Sequence, residues 1–302
     1  MIIVKHRGIF FGLTGAIVAA ALISLVIFGL HPGIDFTGGT LVQATYPGGR
    51  APVPALEQSL NAAGFSGYSL REGGTGDYIL RAGTMTPAQR AGLQATLSIG
   101  NQYPAVIDQQ TEVGPTIGTE LRNKSFVALG LVLLCILLFI AFAFRKVSKP
   151  VSSWIYGLIA LVTLLHDVIV PVGFFAMLQH FWGAELDTLF VTAILTVLGF
   201  SVHDTIVVFD RVRENLRVNQ EKGRKEDFAD VAGRSLNQTF VRSINTSLTV
   251  AFTLLVLFFF GPASTRDFAL TLLVGIVAGT YSSVFLATPL LVAVEKWRRN
   301  RK

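Results

Sequence analysis

The chain has 302 residues, of which 51% are hydrophobic and 15% are charged. Soluble globular domains carry about 25% charged residues, so this composition indicates a membrane protein. The formal net charge is +6, but the basic residues lie in short blocks beside apolar runs, a distribution that disfavours nucleic-acid binding and is typical of membrane topology. Cys135 is the only cysteine, which excludes a disulfide framework and a cysteine metal site.

Apolar stretches long enough to cross about 30 Å of hydrocarbon as helices recur along the chain. The first follows Lys5 and Arg7, as the apolar region of a signal peptide would. Its apolar region is too long for a signal peptide and its Ala-rich patch lies in mid-stretch, so we interpret it as an uncleaved anchor. The six predicted spans are residues 9–30, 125–144, 154–178, 186–209, 244–261 and 268–294.

Lysine and arginine predict the orientation of these spans, because cytoplasmic loops carry an excess of both. The basic segments all fall on one side of the membrane if the N-terminus is cytoplasmic. The short connections on the other side hold one basic residue, Arg266. Both termini are therefore predicted to be cytoplasmic. The basic segments are Lys5 with Arg7, the group Arg145, Lys146 and Lys149, the cytoplasmic loop 210–242 and the tail 296–302.

Residues 31–124 form a predicted extracytoplasmic domain between a first part, 1–30, and the remaining helices in 125–302. Their pattern is strand, helix, strand, strand, helix, strand, with a hairpin turn at 73–76. This order is that of a split βαβ, ferredoxin-like sandwich. The domain carries no recognisable nucleophile–base set or metal cluster. The predicted elements are residues 40–46, 53–63, 68–72, 77–82, 86–99 and 104–112.

The fourth span carries the most informative charges, in the run GFSVHDTIVVFDRVREN at residues 199–215. A charged side chain deep in a bilayer costs about 2.5–3.5 kcal/mol, so such groups normally face protein or water, where they pair or move charge. His203 and Asp204 are predicted to be of this kind; for Asp204 the alternative is an acid buried for structure alone. Asp210, beside Arg211, favours a solvated helix end. A small and polar stripe follows one face of the helix: Thr192, Thr196, Gly199, His203 and Asp210.

Two neighbouring spans carry polar groups of their own. His166 and Asp167 lie near the middle of the third span. They admit three interpretations, namely metal ligands, a proton relay or interhelical hydrogen bonds. The metal interpretation is the weakest, because adjacent helical residues point about 100° apart. Arg242 opens the fifth span, either as an interface anchor or as the counter-charge of Asp204.

Small residues recur every fourth position on two spans, a pattern that predicts close helix packing within the chain or with a partner. The last span carries Gly275, Gly279, Ser283 and Ala287, and the first carries Gly8, Gly12, Ala16 and Ala20.

Four motifs resemble the signatures of the SecD/SecF protein-export membrane proteins. They are GIDFTGGT at 33–40, which holds Asp35, Phe36, Gly38 and Gly39, LLHDVIVPVGFF at 164–175, the run at 199–215, and QTFVRSINTS at 238–247. The layout of one helix, an outer domain and five helices covers the whole chain and is similar to that of the smaller member of this family. Beyond Gly39 the outer domain matches in layout only.

This resemblance implies an α-helical polytopic membrane protein, with six transmembrane helices of the RND type and a small α+β, ferredoxin-like extracytoplasmic domain. It implies pairing with SecD in the cytoplasmic membrane of a bacterium, beside the SecYEG channel. YajC and YidC are further candidate partners. The unit would use the proton-motive force to assist an unfolded polypeptide in crossing the bilayer, its outer domain swinging on hinges at Pro32-Gly33 and Gly114-Pro115.

In that picture Asp204 carries the proton and Arg242 is its partner, with the roles of His203, His166 and Asp167 in the relay open. No cofactor is implied, and the coupling ion is H⁺, with Na⁺ as the alternative. The rival functions are an RND-type small-molecule exporter subunit, a structural scaffold of the channel and an intramembrane hydrolase. The hydrolase is disfavoured, because Ser201 faces a different direction from His203 on the helix, so no enzyme is predicted.

Overall fold

The computed structural model describes residues 2–73, 76–143 and 151–301. Part of the predicted hairpin turn at 73–76, and the basic residues Arg145, Lys146 and Lys149, lie outside the described residues. The chain divides into two compact units. The first, here the membrane unit, comprises Met1–Leu30, Val127–Ala184 and Leu189–Lys302. The second, here the outer unit, comprises His31–Phe126 and Glu185–Thr188.

The helices and strands follow one another in the order predicted for one anchor, an α+β segment and a helical bundle. In chain order they are α1 (Ile2–Lys5), α2 (Arg7–Phe28), α3 (Ile34–Thr37), β1 (Gly39–Thr45), α4 (Val53–Ala62), β2 (Ser69–Glu72), β3 (Asp77–Ala82), α5 (Pro87–Leu97), β4 (Val106–Val113), α6 (Pro115–Ala143), α7 (Ser153–Trp182), α8 (Thr188–Glu221), α9 (Phe228–Phe260), α10 (Ala263–Ser282), a π turn (Ser283–Ala287) and α11 (Thr288–Arg299).

Within the described residues, six helices are long and apolar enough to cross a membrane. They are α2, α6, α7, α8, α9 and the segment Ser264–Arg299, which α10, the π turn and α11 form together. Large apolar side chains on their outer faces are exposed, among them Val26 at 86% and Phe260 at 85%. Such faces suit contact with lipid. The prediction of six spans joined to a small α+β domain is confirmed.

The predicted loop at 210–242 is wrong as a loop, because most of it is helical. α8 continues to Glu221 and α9 begins at Phe228, so the connection is short. Ion pairs along α8, Asp210 with Arg213 at 2.5 Å and Arg211 with Glu214 at 2.6 Å, stabilise a helix that hydropathy alone does not detect.

The connection between α8 and α9 is held by polar contacts. The Asn219 amide donates to Glu226 at 2.8 Å, and Arg234 pairs with the same carboxylate at 2.9 Å. Arg299 donates to Asp227 at 2.7 Å, and this hydrogen bond holds the pKa of Asp227 below its ordinary value. These contacts fix the turn between the two longest described helices of the membrane unit.

The outer unit is built on an antiparallel sheet of four strands in its described part, ordered β2-β3-β1-β4. This strand order, with α4 and α5 as crossovers, is that of a ferredoxin-like sandwich. Alternate residues of β1 and β3 point into its apolar core together with Leu56 and Leu93. Two buried tyrosines close the core by donating to backbone carbonyls, Tyr46 to Leu97 at 3.0 Å and Tyr78 to Ala51 at 2.9 Å.

One close approach and one π turn organise the helices of the membrane unit. Gly173 on α7 lies so near α2 that an added Cβ would sit 2.6 Å from Ala21, and Ser24 donates to the Gly173 carbonyl at 2.7 Å. The π turn precedes Pro289, which has no N–H and would clash with the carbonyl of Phe285 in a regular α-helix. The wider turn relieves that clash and displaces the end of the last span.

Candidate functional site

Asp167 on α7 joins three helices of the membrane unit through one carboxylate. Its side chain is 0% exposed. His166 Nδ1 lies 2.8 Å from Oδ1, Ser282 on α10 donates to Oδ2 at 2.9 Å, and Ser201 on α8 donates to the same oxygen. Because each carboxylate oxygen has a partner, the geometry matches the predicted interhelical hydrogen bonds and also keeps a titratable group between α7, α8 and α10.

Asp204 on α8 is satisfied on one side only. The side chain is 7% exposed, and Ser243 on α9 donates to Oδ1 at 2.5 Å. Oδ2 is buried and has no hydrogen-bond partner within the described part of the chain. A buried carboxylate oxygen without a donor is costly, and a proton or an external donor removes that cost. Asp204, like Glu295 on α11, therefore keeps a buried carboxylate oxygen that a proton or a further donor could satisfy.

Hydroxyl groups line the seam around these two acids. Thr205 and Ser283 lie 2.9 Å apart, which connects α8 to the π turn. Ser247 on α9 and Thr280 on α10 lie 2.5 Å apart. Ser283 also donates to the carbonyl of Ser201 at 3.4 Å. Hydroxyls both donate and accept, so the seam can adapt to either protonation state of a neighbouring carboxyl.

The small-residue stripe of the last span packs against the helix that carries Asp204. An added Cβ at Gly279 would sit 2.9 Å from Ser201, and one at Gly275 would overlap Val197. Ser283 follows at the same face, through the contacts just described. By contrast, a Cβ added at Gly8 or Gly12 on α2 would meet no described atom of another helix within 4 Å.

Arg242 and His203 are exposed, and no ion pair joins either of them to Asp204 in the part of the chain that the structure describes. Ser243, one residue after Arg242, makes the contact to Asp204 instead. Both residues belong to a polar face that is exposed on α8 and α9. Its members on α8 are Thr192, Thr196, Gly199, His203 and Asp210, and those on α9 are Arg242, Asn245, Thr246, Thr249 and Thr253.

The signature segment at 33–40 lies within the outer unit. Asp35 accepts hydrogen bonds from Thr188, the first residue of α8, and Phe36 is buried. Gly38 has φ +79° and an added Cβ would lie 2.8 Å from the backbone of Pro115; Gly39 has φ +142° and its Cβ would lie 2.7 Å from the Ala82 carbonyl. Both positions require glycine, because the left-handed backbone and the close approach each exclude a side chain.

Sequence reasoning missed the serines that hold the acids. Ser243 and Ser282 are the donors to Asp204 and Asp167, and nothing in their spacing distinguishes them from other helix serines. The only sequence signal for these two donors is their position: Ser243 directly follows Arg242, and Ser282 directly precedes Ser283 of the small-residue stripe. Across residues 2–73, 76–143 and 151–301, no group of three or more His, Cys, Asp or Glu side chains is arranged to hold a metal ion.

The fold and the site define a class of protein: a multi-pass membrane protein with a small α+β domain after its first helix and buried carboxyls between its spans. The family model described as protein export membrane protein SecD/SecF, C-terminal, matches residues 96–297, and the SecD/SecF GG motif matches residues 23–46. The chain belongs to the SecD/SecF family of protein-export membrane proteins, is a multi-pass inner-membrane protein and has a role in protein translocation.

Relatives at full length support the same family. The protein translocase subunit SecF of Thermobaculum terrenum is 45% identical over 97% of this chain and 93% of its own. That of Anaerolinea thermophila is 36% identical over 98% of this chain and 95% of its own.

Two solved structures resemble the whole chain. SecDF of Thermus thermophilus, a translocon-associated membrane protein, is 30% identical and superposes with a TM-score of 0.83 over 97% of this chain. SecDF in its super-membrane-facing form is 31% identical, with a TM-score of 0.67 over 98% of this chain. The chain spans 38% and 39% of those two chains, respectively.

Proposed function

We propose that this chain is the SecF-type subunit of a complex with SecD that uses the proton-motive force to assist translocation of an unfolded polypeptide through SecYEG. The observation that carries the proposal is Asp204, a buried carboxyl with one oxygen held by Ser243 and the other without a donor in the described chain. In a membrane such a group normally serves ion movement or a specific pair.

In this mechanism Asp204 alternates between a neutral form and an ionised form that Arg242 stabilises. Arg242 lies one residue before the serine that already contacts Asp204, so a small rotation of α9 brings the guanidinium towards the carboxylate. One elementary charge crossing 100 mV is worth about 2.3 kcal/mol, which shifts a two-state equilibrium nearly fiftyfold. The helices repack in response, and the outer unit acts on the emerging polypeptide.

The exposed polar face supports SecD as the partner. His203 and Arg242 are charged or titratable groups on the outside of two apolar helices. A charged group facing lipid is unfavourable by about 2.5–3.5 kcal/mol, so the face requires protein or water against it. The solved relatives are SecDF chains that extend well beyond the part this chain matches, which supports a second bundle as the cover. YajC and YidC stay as further candidate partners.

Two further parts of the proposal concern the membrane topology and the coupling ion. Both termini are cytoplasmic and the outer unit is extracytoplasmic, as the basic segments predict. The coupling ion is H⁺, with Na⁺ as the alternative that a lone carboxylate also suits.

The test is late-stage secretion of a reporter protein in membrane vesicles that contain SecD, with and without an imposed proton gradient. Asp204→Asn removes the titratable group, and we expect it to abolish stimulation by the gradient. Glu221→Gln is the matched control, because Glu221 is an exposed carboxylate on the same helix, paired to Arg217 and outside the polar face; it should keep the response. Repeating the assay with a sodium gradient separates the two ions.

If Asp204→Asn responds to the gradient as the wild type does, Asp204 is a structural acid and the chain acts as a scaffold of the channel. If only the sodium gradient stimulates the wild type, coupling through Asp204 stands and the ion is Na⁺.

A further inference from the structure

We infer that Asp35 is a positioning residue: its carboxylate caps the helix that carries Asp204 and ties the connection between α7 and α8 to the outer unit. The functional part of this inference rests on the proposed function, because it assigns Asp35 a place in transmitting movement to Asp204. The structural part stands on contacts within the outer unit alone.

The cap itself is made by one carboxylate oxygen. Asp35 Oδ2 accepts from the Thr188 N–H at 2.9 Å and from the Thr188 hydroxyl at 2.7 Å. The first N–H groups of a helix have no acceptor within the helix, and a negative charge there is favoured by the helix dipole. Side-chain caps usually come from the residue just before the helix, but Asp35 precedes Thr188 by 153 positions. This cap is therefore also a long-range tie.

Further contacts hold the four-residue segment Glu185–Thr188, which ends with the first residue of α8 and belongs to the outer unit. The Gly33 N–H donates to the Leu186 carbonyl at 2.8 Å. Arg81 on β3 forms an ion pair with Glu185. A backbone hydrogen bond, side-chain hydrogen bonds and an ion pair thus all hold one short segment. We therefore treat residues 185–188 as firmly bound to the rest of the outer unit.

The residues before Asp35 are shaped for this attachment. Pro32 and Leu186 form an isolated parallel bridge. A Cβ at Gly33 would lie 2.9 Å from the Leu186 carbonyl, so only glycine allows the approach. These contacts hold Pro32 and Gly33 within the outer unit. We call residues 32–35 together with 185–188 the clasp.

The clasp has a mechanical consequence, because α8 runs from Thr188 to Glu221 without a break. Asp204 follows Thr188 on this helix by about 24 Å at 1.5 Å per residue. A displacement of the clasp is passed along α8 to the carboxyl, and by linkage the protonation state of the carboxyl biases the position of the clasp. Asp35 thereby positions the coupling helix without touching its titratable group.

The first test is structural and needs no activity. Amide hydrogen exchange is measured on the purified full chain, in detergent, for the peptide that covers the first turns of α8. Removing a helix cap by Asp35→Ala should make this peptide exchange about fivefold faster. Asp35→Asn keeps an acceptor of the same shape and should stay near the wild type. Unchanged exchange in Asp35→Ala, with the chain folded elsewhere, overturns the cap.

The second test replaces the cap by a covalent bond. In a Cys135→Ala background, Asp35→Cys and Thr188→Cys are combined at two positions whose side-chain oxygens lie 2.7 Å apart, and loss of free thiol on oxidation verifies that the disulfide has formed. Reporter secretion in vesicles with SecD is measured against the size of the imposed proton gradient. We expect the reduced form to need a larger gradient for half-maximal stimulation, and oxidation to restore the wild-type value. Equal curves for the reduced and oxidised forms overturn the positioning role.

The two tests also separate the clasp from the proposed function. If Asp204→Asn keeps its response to the gradient while Asp35→Ala still speeds exchange, the proton-coupling proposal fails and the cap survives. If Asp204→Asn loses the response while both clasp experiments show no change, the coupling proposal survives and the clasp inference fails.

Discussion

At the scale of single residues, Asp167 and Asp204 are both buried carboxyls of one bundle, but they differ in how many donors satisfy them. Asp167 receives contacts from His166, Ser201 and Ser282, whereas Asp204 receives one, from Ser243. A fully bonded carboxylate holds helices together, and a half-bonded one is free to change its charge. We therefore expect Asp167 to support the packing of the helices and Asp204 to be the group that changes its protonation.

This difference predicts unequal costs of truncation. Asp167→Ala leaves three polar partners without their acceptor, and each costs about 1–3 kcal/mol, reduced where a serine bonds to its own helix. We expect a loss of roughly 3 kcal/mol for Asp167→Ala and about 1 kcal/mol for Asp204→Ala. Thermal unfolding of the purified chain in detergent measures both. Equal losses would contradict the division of roles.

Tyr46 gives a pH-dependent prediction in the outer unit. Burial, assisted by the nearby Tyr78, raises the pKa of Tyr46 to about 12 from an ordinary value of 10.0. Because the folded-state pKa is raised, the neutral phenol stabilises the fold fully below pH 10, and this contribution is lost as the pH rises towards 12. In a pH titration followed by absorbance near 295 nm, the wild type should show a phenol that ionises near pH 12. Tyr46→Phe should lack this transition. A transition near pH 10 that Tyr46→Phe removes would contradict this.

The sequence was sufficient to select the acids but not their partners. Asp167 and Asp204 are conspicuous because a carboxyl is rare in an apolar run. Ser243 and Ser282 are ordinary helix serines until the fold brings them to a carboxylate. Arg242, which the resemblance implies as the partner of Asp204, is exposed and lies one residue before the serine that makes the contact. Which face of a helix meets its neighbour depends on packing, and local spacing does not report it.

At the scale of elements, the two small-residue stripes look alike in sequence and differ in the fold. Gly279 on the last span lies against Ser201, while Gly12 on α2 has no described atom within 4 Å of an added Cβ. Gly279→Leu should therefore lower stability by about 1–3 kcal/mol through overpacking against α8. Gly12→Leu, the same change on an open surface, should stay within about 0.5 kcal/mol. Thermal unfolding of the isolated chain compares them; equal effects would contradict the packing.

The ends of the helices are the features that the sequence predicts least well. Hydropathy ends the fourth span near residue 209, but α8 continues to Glu221 because Asp210, Arg213, Arg211 and Glu214 pair along the helix. Polar helix segments are stabilised by oppositely charged side chains three or four residues apart, and a search for apolar patterns does not detect such pairs. The strands β1 to β4, in contrast, lie within two residues of their predicted limits, since alternation of apolar residues sets strand register strongly.

At the scale of the whole molecule, the polar face of α8 and α9 predicts where a partner sits. Thr246 lies on this face, whereas Leu248 is exposed on the apolar side of the same helix. A photo-crosslinking amino acid at position 246 should give a covalent product with SecD in membranes that contain both chains. Position 248 is the control and should react with lipid only. Crosslinking from position 248 and not from 246 would place the partner on a different face.

The order of elements in the whole chain was predictable, and its long-range ties were not. Six apolar lengths and one alternating segment suffice to give six spans and a βαββαβ domain. The contact between Asp35 and Thr188 joins residues 153 positions apart, and no local pattern encodes it. It requires the strand β1, the glycines before it and the connection after α7 to meet in three dimensions.

An unbroken α8 would also tilt as one rigid rod. Its 34 residues make a beam about 51 Å long, so a tilt of about 10° around its middle moves each end by about 4 Å, in opposite directions. The end at Thr188 is fastened and the end at Glu221 leads into a short, bonded turn. A rigid tilt of α8 would therefore move Glu221 in the opposite direction from Thr188, and a fluorophore beside residue 221 would report that displacement.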